Sequence, residues 1–277
     1  MSIGGIALAV LGVSSVIYAT KIEPSWLEIV RKDLFLPRLD AAFDGFRLVQ
    51  TSDIHMGGWM DKKRLARVVD AILDQKPDAV ALTGDFLCEQ DPEERRSLSM
   101  TQMSDEFKRL SAYCPTFAVM GNHDYWEGVY MLRRALRYAG VVELPNTFRT
   151  LERGRASLHI CGVDDIWVGR ANLKLLMQAL PPQGAAVLLV HEPDFADTSA
   201  ATGRFDLQLS GHSHGGQIRF PNGRPLVPTY LGRKYPVGLY QVGEMQQYTN
   251  RGVGVGIFEV RLNCRPEITV LTLHPAA

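Results

Sequence analysis

The stretch Gly211-His212-Ser213-His214-Gly215-Gly216-Gln217 places two histidines two residues apart between glycines. It follows residues 205–210, a largely apolar run that is typical of a buried strand. Glycines permit a tight turn and a close approach of the backbone to a ligand. Alternate histidines can then converge on a metal ion, although a His-x-His pair in a loop is as often a plain surface feature. The strand ends earlier in the chain decide between these two interpretations.

Four earlier apolar segments have the same form, because each is followed by side chains that can bind a metal ion. The segments 46–52, 79–83, 116–120 and 185–190 are followed by Asp53 and His55, by Asp85, by Asn122 and by His191, respectively. A single Asp after a strand is usually a turn former, but five strand ends that agree are difficult to explain as turns. Functional groups gather beyond the carboxyl ends of the strands in an α/β sheet, so we predict that these residues share one site.

Helical patterns separate the apolar runs. Asp61 is a plausible N-cap, and apolar residues recur at helical spacing from Leu65 to Leu73. Further helices are predicted from about Glu93 to Leu110 and over residues 132–139. Continuous apolar strands that alternate with helices indicate a layered α/β core whose strands are buried on both faces. The 277 residues contain no repeat and no internal linker, so the core is predicted to be one domain.

Composition and charge exclude several classes of protein. Hydrophobic residues make up 46% of the chain and charged residues 22%, as in an ordinary globular protein. Thirty basic residues balance thirty acidic ones, so no nucleic-acid partner is expected. The four cysteines, at positions 88, 114, 161 and 264, are scattered, which argues against a zinc ribbon or a disulfide framework and predicts buried free thiols.

Seven residues at five strand ends could bind metal: Asp53, His55, Asp85, Asn122, His191, His212 and His214. That number exceeds the ligands of one tetrahedral zinc ion, and it suits two ions that share a bridging carboxylate. Mixed imidazole, carboxylate and amide donors fit Mn, Fe or Zn better than Ca or Mg. Two such cations, roughly 3.5–4 Å apart, can bind a phosphoryl oxygen and generate an attacking hydroxide. His123 has no evident ligand role and could protonate a leaving oxygen or stabilise charge in the transition state.

In their order along the chain, these residues resemble the motifs of the calcineurin-like metallophosphoesterase family. The resemblance rests on Asp53-x-His55, Gly84-Asp85, Gly121-Asn122-His123-Asp124, His191 and Gly211-His212-x-His214, and it spans residues 47 to about 218. It implies an α/β sandwich of four layers, in which two facing mixed sheets are flanked by helices. It also implies that Asp53, His55 and His214 hold one metal ion, that Asn122, His191 and His212 hold the other, and that Asp85 bridges them. His123 then contacts the phosphate or the leaving group and is oriented by Asp124.

The two ends of the chain resemble the membrane-associated bacterial phosphodiesterase branch of this family. The similar segments are Glu23–Trp26, Gly215–Ile218 and Arg261–Thr269. Related enzymes cleave the pyrophosphate of UDP-2,3-diacylglucosamine in lipid A synthesis. The resemblance therefore implies hydrolysis of phosphodiester or pyrophosphate bonds, with this lipid-linked nucleotide as one candidate substrate. The alternatives are a soluble phosphodiester or phosphomonoester, and a metal-binding scaffold without turnover.

The N-terminal segment, residues 3–19, carries no charge and is near the minimum of roughly 17 residues that a membrane-spanning helix needs. A cleaved signal peptide and a soluble helix are the alternatives, but we predict an uncleaved anchor over residues 1–22. Basic residues follow it, so the positive-inside rule places the protein in the inner membrane with its catalytic domain, residues 45–277, in the cytoplasm. Residues 23–44 are predicted to be a juxtamembrane segment, and within it residues 26–36 either lie on the membrane surface or pack on the core.

Residues 219–265 contain more basic than acidic side chains, with seven Lys or Arg residues against two Glu. A positive surplus beside a phosphoryl-transfer site could bind a diphosphate or an anionic headgroup. The candidate substrate-binding residues are Arg219, Arg233 and Arg251. An ordinary solvated basic surface explains the same pattern equally well.

Overall fold

The computed structural model describes residues 13–256 and 258–276. Its first sheet has six strands in the order β1 (Glu28–Leu36), β12 (Glu267–Pro275), β2 (Phe46–Thr51), β3 (Ala79–Thr83), β4 (Thr116–Val119) and β5 (Val142–Glu143). The strands from β2 to β5 are parallel, whereas β12 is antiparallel to β2 and parallel to β1. This sheet is therefore mixed, with a parallel half that carries three of the strand ends singled out by the sequence.

The second sheet also has six strands, in the order β10 (Gly238–Val242), β11 (Met245–Thr249), β9 (Leu207–Ser210), β8 (Ala185–Leu189), β7 (Ala156–Gly162) and β6 (Thr147–Arg153). Strands β7, β8 and β9 are parallel, and an antiparallel pair lies at each edge. The carboxyl ends of β8 and β9 point to the same end of the molecule as those of the first sheet, because the two sets of loops contact each other there.

Four helices cover the outer face of the first sheet: α1 (Lys62–Leu73), α2 (Glu93–Tyr113), α3 (Asn122–Glu127) and α4 (Val129–Tyr138). Two shorter helices, α5 (Leu173–Ala179) and α6 (Ala196–Ala200), pack on the outer face of the second. Alternation of side chains along a strand sends Val80 and Leu82 toward the helices and Ala79 and Ala81 into the core between the sheets. The chain thus forms the predicted four-layer sandwich.

Several local predictions are confirmed. Helix α1 begins after Asp61, whose carboxylate accepts a hydrogen bond of 2.8 Å from the Arg64 backbone N–H. Strand β3 has the predicted bounds, and its five residues are all buried. Helix α2 begins at Glu93 as predicted and continues to Tyr113, slightly beyond the predicted end. The four cysteines are buried and free.

The sequence left two alternatives for residues 26–36, a segment on the membrane surface or a segment packed on the core. In the structure, these residues include strand β1. It pairs in parallel with β12 along its whole length, from Glu28 opposite Glu267 to Leu36 opposite Pro275. Leu34 and Leu36 are buried in the core between the sheets. The segment is therefore an edge strand of the first sheet, in line with the core-packed alternative.

The prediction of an inner-membrane protein with one N-terminal anchor and a cytoplasmic catalytic domain is wrong. Within the described part of the chain, no helix has the length and the apolar character needed to cross a bilayer. Residues 1–12 of the predicted anchor lie outside the described residues. Residues 13–17 are helical, and Tyr18–Ile22 form a π-helical turn.

The end of the predicted anchor and the residue that follows it contact the C-terminal region. The Ala19 carbonyl accepts a hydrogen bond of 2.9 Å from the Arg261 backbone N–H. The Glu23 carboxylate is buried and accepts a bond of 2.5 Å from the Cys264 backbone N–H. Among the described residues of this segment, Ala19 is buried, whereas Val13, Val16 and Ile17 are exposed.

Candidate dinuclear metal centre

The seven predicted ligands lie together in a cleft between the carboxyl ends of the two sheets. Loops after β2, β3 and β4 supply four of them, and loops after β8 and β9 supply three. The two sets of loops are joined directly, because the His212 backbone N–H donates to both carboxylate oxygens of Asp53 at 3.0 and 3.1 Å. Six of the seven residues are buried, and the His214 side chain is 12% exposed.

Asp53, His55 and His214 form a first group whose ligand atoms all lie within 4.8 Å of one another. The Nε2 atoms of the two histidines are 3.1 Å apart, and His214 Nε2 lies 3.5 Å from Asp53 Oδ1. Two imidazole nitrogens and one carboxylate oxygen therefore face a common point. This is the set that the sequence assigned to one metal ion.

Asp85, His191 and His212 form a second group within the same distance limit. His191 Nδ1 donates to the Thr83 carbonyl at 2.7 Å, which leaves its Nε2 to face the group. His212 Nε2 donates to the Tyr230 carbonyl at 2.6 Å, which leaves its Nδ1. Such bonds to the far nitrogen fix the tautomer and the ring plane of a metal-binding histidine.

Asp85 lies between the two groups. Its Oδ2 is 3.1 Å from His191 Nε2 and 3.8 Å from His55 Nε2, one nitrogen from each group. Its Oδ1 accepts a hydrogen bond of 3.0 Å from the His123 backbone N–H, which fixes the carboxylate plane. A carboxylate held in this way can act as a ligand in both groups at once.

Missing hydrogen bonds also indicate that these residues can bind divalent metal ions. Among the described residues, the buried atoms without a hydrogen-bond partner include His212 Nδ1 and Asn122 Oδ1. A buried polar atom without a partner is costly to the folded state, and these atoms lie in one cleft. Nitrogen and oxygen atoms of this kind are the donors that Mn, Fe and Zn accept.

Burial and mutual attraction shift the pKa values of the site residues in opposite directions. Burial lowers the pKa of His55 to about 4 and that of His212 to about 3, so both rings are neutral, which is the form that binds a metal ion. For Asp85 and His191, burial opposes the charged form of each, but their mutual attraction outweighs it. The pKa of Asp85 therefore falls well below its ordinary value, and that of His191 rises well above its own.

The backbone of the site is strained. Five of the seven predicted ligands have a positive φ, which ordinary side chains avoid: Asp53 (50°), His55 (49°), Asp85 (55°), His212 (69°) and His214 (50°). Such a conformation costs about 1–3 kcal/mol per residue and persists only where the surrounding structure enforces it. The concentration of these residues at one cleft marks it as a functional site.

Two glycines of the sequence motifs are needed because the cleft is crowded. A Cβ atom on Gly211 would lie 1.8 Å from Ser52 Oγ, and one on Gly121 would lie 2.3 Å from Asp85 Oδ1. Neither approach is sterically allowed. The glycines therefore let the loops after β9 and β4 come close enough to join the two groups.

The Asp124 carboxylate bonds to backbone N–H groups in the structure. It was expected to orient the His123 ring, but its two carboxylate oxygens accept four backbone hydrogen bonds of 2.8–3.2 Å. The donors are the N–H groups of Asp85, Phe86, Leu87 and Gly121. Asp124 therefore fixes the loop that carries Asp85, because the start of α3 places its carboxylate beneath that loop.

Asp124→Asn is expected to lower the free energy of unfolding by about 3 kcal/mol, because the new NH₂ group would face two N–H donors and leave them unpaired. Urea denaturation of the metal-free protein measures the change. Asp61→Asn is the matched control, since Asn caps a helix as well as Asp does, and its effect should stay below about 0.5 kcal/mol. An Asp124→Asn variant as stable as this control would contradict the proposed contact.

The structure does not bring the three candidate arginines to the cleft. Arg251 is paired with Glu267 and, at 3.0 Å, with Glu28. Arg219 donates from its Nε atom to the Gly223 carbonyl at 2.8 Å. The arginine at position 233 is exposed, and none of the three lines the cavity beside the predicted ligands.

That cavity has a volume of about 500 Å³, and its lining includes residues that the sequence analysis missed. Asp85, Asn122, His123, His212 and His214 line it, and so do Trp126 and Trp167, whose ring centroids are 5.3 Å apart. Two sequence signals could have found these tryptophans. Trp126 lies in the same short helix as His123, and Trp167 follows the strand end at Asp164 and Asp165.

Comparison with known proteins agrees with this geometry. Residues 46–216 match the family model of the calcineurin-like phosphoesterases. The chain is 31% identical over 258 residues to the uncharacterized metallophosphoesterase YkuE of Bacillus subtilis, a match that covers 92% of this chain and 88% of that protein. It is 32% identical to the phosphodiesterase YaeI of Escherichia coli, with coverage of 91% and 90%. It is 27% identical to the UDP-2,3-diacylglucosamine pyrophosphatase LpxG of Chlamydia muridarum, with coverage of 92% of each chain.

Solved structures show the same fold at low sequence identity. A putative 5'-nucleotidase from Staphylococcus aureus aligns with a TM-score of 0.51 and 14% identity, over 84% of this chain and 55% of that one. TT1561 of Thermus thermophilus aligns with a TM-score of 0.50 and 15% identity, over 75% and 90%. The family model covers more than half of the chain, and relatives above 30% identity cover about nine-tenths of it. The chain therefore belongs to the calcineurin-like metallophosphoesterase family and is a metal-dependent hydrolase of phosphate esters.

Proposed function

We propose that the protein hydrolyses phosphodiester or pyrophosphate bonds with two divalent ions of Mn, Fe or Zn. The position of Asp85 Oδ2, within 3.8 Å of one histidine nitrogen from each group, carries this proposal. Asp53, His55 and His214 would hold one ion, Asn122, His191 and His212 would hold the other, and Asp85 would be a ligand in both groups. Two ions so placed would polarise the phosphoryl group and supply a nucleophilic water at neutral pH.

The protein's own groups hold these ligands in place before any substrate arrives. The His212 backbone N–H fixes Asp53, and the carbonyls of Thr83 and Tyr230 fix the rings of His191 and His212. Little reorganisation is then needed when charge develops on the phosphoryl oxygens. We infer that the strained loops serve this pre-organisation.

His123 is proposed to act on the substrate rather than on a metal ion. Its backbone N–H is bonded to Asp85, while its ring lines the cavity and meets the rings of His55 and Trp126 edge-on, with centroids 5.0 Å away from each. In the reaction, water adds to phosphorus and the P–O bond to the leaving group breaks. The leaving oxygen then needs a proton or a compensating charge, which the His123 ring can supply.

For a more specific substrate, we propose UDP-2,3-diacylglucosamine, which hydrolysis would convert to UMP and 2,3-diacylglucosamine 1-phosphate in lipid A synthesis. The name of the Chlamydia muridarum relative supports this substrate, and so does the apolar wall of the cavity, which suits an acyl chain. The name of the Escherichia coli relative supports the alternative, a more general phosphodiesterase.

Assay of the purified protein with added Mn should show release of UMP from UDP-2,3-diacylglucosamine by the wild type and none by Asp85→Ala. Cleavage of an aryl phosphodiester without release of UMP would retain the proposed mechanism and exclude this substrate. If neither compound is hydrolysed with Mn, Fe or Zn, the proposed function itself is refuted.

A further inference from the structure

We propose that the cavity beside the metal ligands binds an apolar alkyl or acyl chain of the substrate, and not a nucleobase or a second anionic group. This inference rests on the proposed function, because it assumes that the phosphoryl group lies at the seven ligands. Asp85, Asn122 and His212 belong to both the metal centre and the cavity lining. A phosphoryl group bound there would therefore direct one of its substituents into the cavity.

The walls of the cavity are apolar. Trp126 and Trp167 line the cavity, and the remaining apolar lining residues are Ile218, Leu226, Val227 and Phe258. Several of these side chains are unusually exposed for their type, since Val227 and Phe258 each expose 70% of their surface. A cluster of exposed apolar side chains around one opening marks a binding site for apolar groups.

Charge in the cavity argues against a second anionic group. Of the residues that line it in the described part of the chain, none is Lys or Arg. The charged lining residue outside the metal cluster is Glu89, which would repel an anion. A phosphate group beyond reach of the metal ions would therefore meet no compensating charge, although such a group is normally bound by Arg or Lys.

Two polar side chains that line the cavity outside the metal cluster, those of Gln217 and Ser213, are already paired within the protein. Gln217 accepts from the Gly256 backbone N–H at 2.8 Å and donates to the Phe258 carbonyl at 2.5 Å. The hydroxyl of Ser213 donates to the Pro236 carbonyl at 2.6 Å. Recognition of a base or a sugar needs free donors and acceptors in fixed positions, and an alkyl chain needs none.

Trp167 is held in place at the boundary between cavity and metal centre. The Glu192 carboxylate accepts hydrogen bonds from the backbone N–H groups of Ile166, at 3.1 Å, and Trp167, at 2.8 Å. The Trp167 ring packs edge-on against Trp126 and His212, with centroid distances of 5.3 and 5.6 Å. A fixed aromatic wall binds an apolar chain with little loss of side-chain entropy.

Calorimetric titration of the Mn-loaded protein tests the inference without turnover. Methyl phosphate, hexyl phosphate and uridine 5'-phosphate each carry one phosphate and differ in the substituent. If about three of the additional CH₂ groups are buried, at about threefold each, hexyl phosphate should bind about 30-fold more tightly than methyl phosphate. Uridine 5'-phosphate should bind no more than about threefold more tightly than methyl phosphate.

Two variants test whether the apolar side chains of the cavity contact the bound chain. Trp167→Ala and Val227→Asp should each reduce the preference for hexyl over methyl phosphate to about threefold or less. Val227 is exposed, so its replacement tests the cavity even if Trp167→Ala does not fold. Tyr138→Ala is the control, because this residue is 62% exposed on α4 and does not line the cavity, and the preference should not change.

Equal affinity for methyl and hexyl phosphate would overturn the inference, and so would tightest binding of uridine 5'-phosphate. A preference for hexyl phosphate that persists in both variants would also overturn it. Hydrolysis of an aryl phosphodiester by the same sample tests the proposed function separately. A protein that cleaves the diester but shows no chain preference refutes only the inference, and one that shows the preference without cleavage refutes only the proposed function.

Discussion

Replacement of Asp85 by asparagine is expected to lower kcat for an aryl phosphodiester by about a thousandfold or more. The expected loss corresponds to about 4 kcal/mol, which is the scale of charge stabilisation by a metal site. The variant should also lose at least one of the two metal ions, because the amide removes the negative charge between the two groups. His55 and His191 would keep their positions, since each is held by its own loop.

Metal content after gel filtration and the rate of diester cleavage are the two measurements. Asp206→Asn is the matched control, because Asp206 is also a buried carboxylate that accepts a backbone hydrogen bond, from Ala186 at 2.8 Å, and it lies outside both groups. This control should keep two metal ions and its activity. An Asp85→Asn variant that binds two ions and turns over normally would refute the bridge.

His123→Ala is expected to lower kcat by about 10²–10⁴-fold while both metal ions stay bound, because the ring lines the cavity but belongs to neither ligand group. The loss should be greater for a phenyl ester than for a p-nitrophenyl ester if the ring protonates the leaving oxygen, because the poorer leaving group needs the proton more. An equal loss for both esters would instead indicate stabilisation of charge on the phosphoryl oxygens.

His274→Ala serves as the control for this variant, since the His274 ring pairs with Asp33 and Asp44 on the surface of the first sheet. It should retain full activity. A His123→Ala variant that has lost metal would show that His123 is a ligand, and the proposed division of roles would then be wrong.

The parts of the fold that the sequence predicted depend on local patterns. A strand that is buried on both faces is largely apolar, so β3 and β8 are recognisable by themselves. The proposed metal ligands follow such strands directly. Glycines are needed beside them, because a Cβ atom at those positions would clash with neighbouring atoms. For these reasons the cleft could be predicted before its geometry was known.

The parts that the sequence did not predict depend on distant partners. Strand β1 pairs with residues of β12 at the other end of the chain, so nothing near Glu28 reveals its neighbour. The donors to Asp124 come from two different loops, and the cavity wall is assembled from Trp126, Trp167 and residues beyond Ile218. Contacts of this kind leave no recognisable pattern in any single segment of the sequence.

The place of β12 in the first sheet has a consequence for how the protein is made. It lies between β1 and β2, although it is the last strand in the chain. During synthesis, β1 and β2 must therefore wait for their shared neighbour until the chain has been translated from Thr51 past Glu267, and such long-range pairing is slow. All seven proposed metal ligands emerge from the ribosome earlier. The metal centre thus depends for its completion on a strand that contributes none of its ligands.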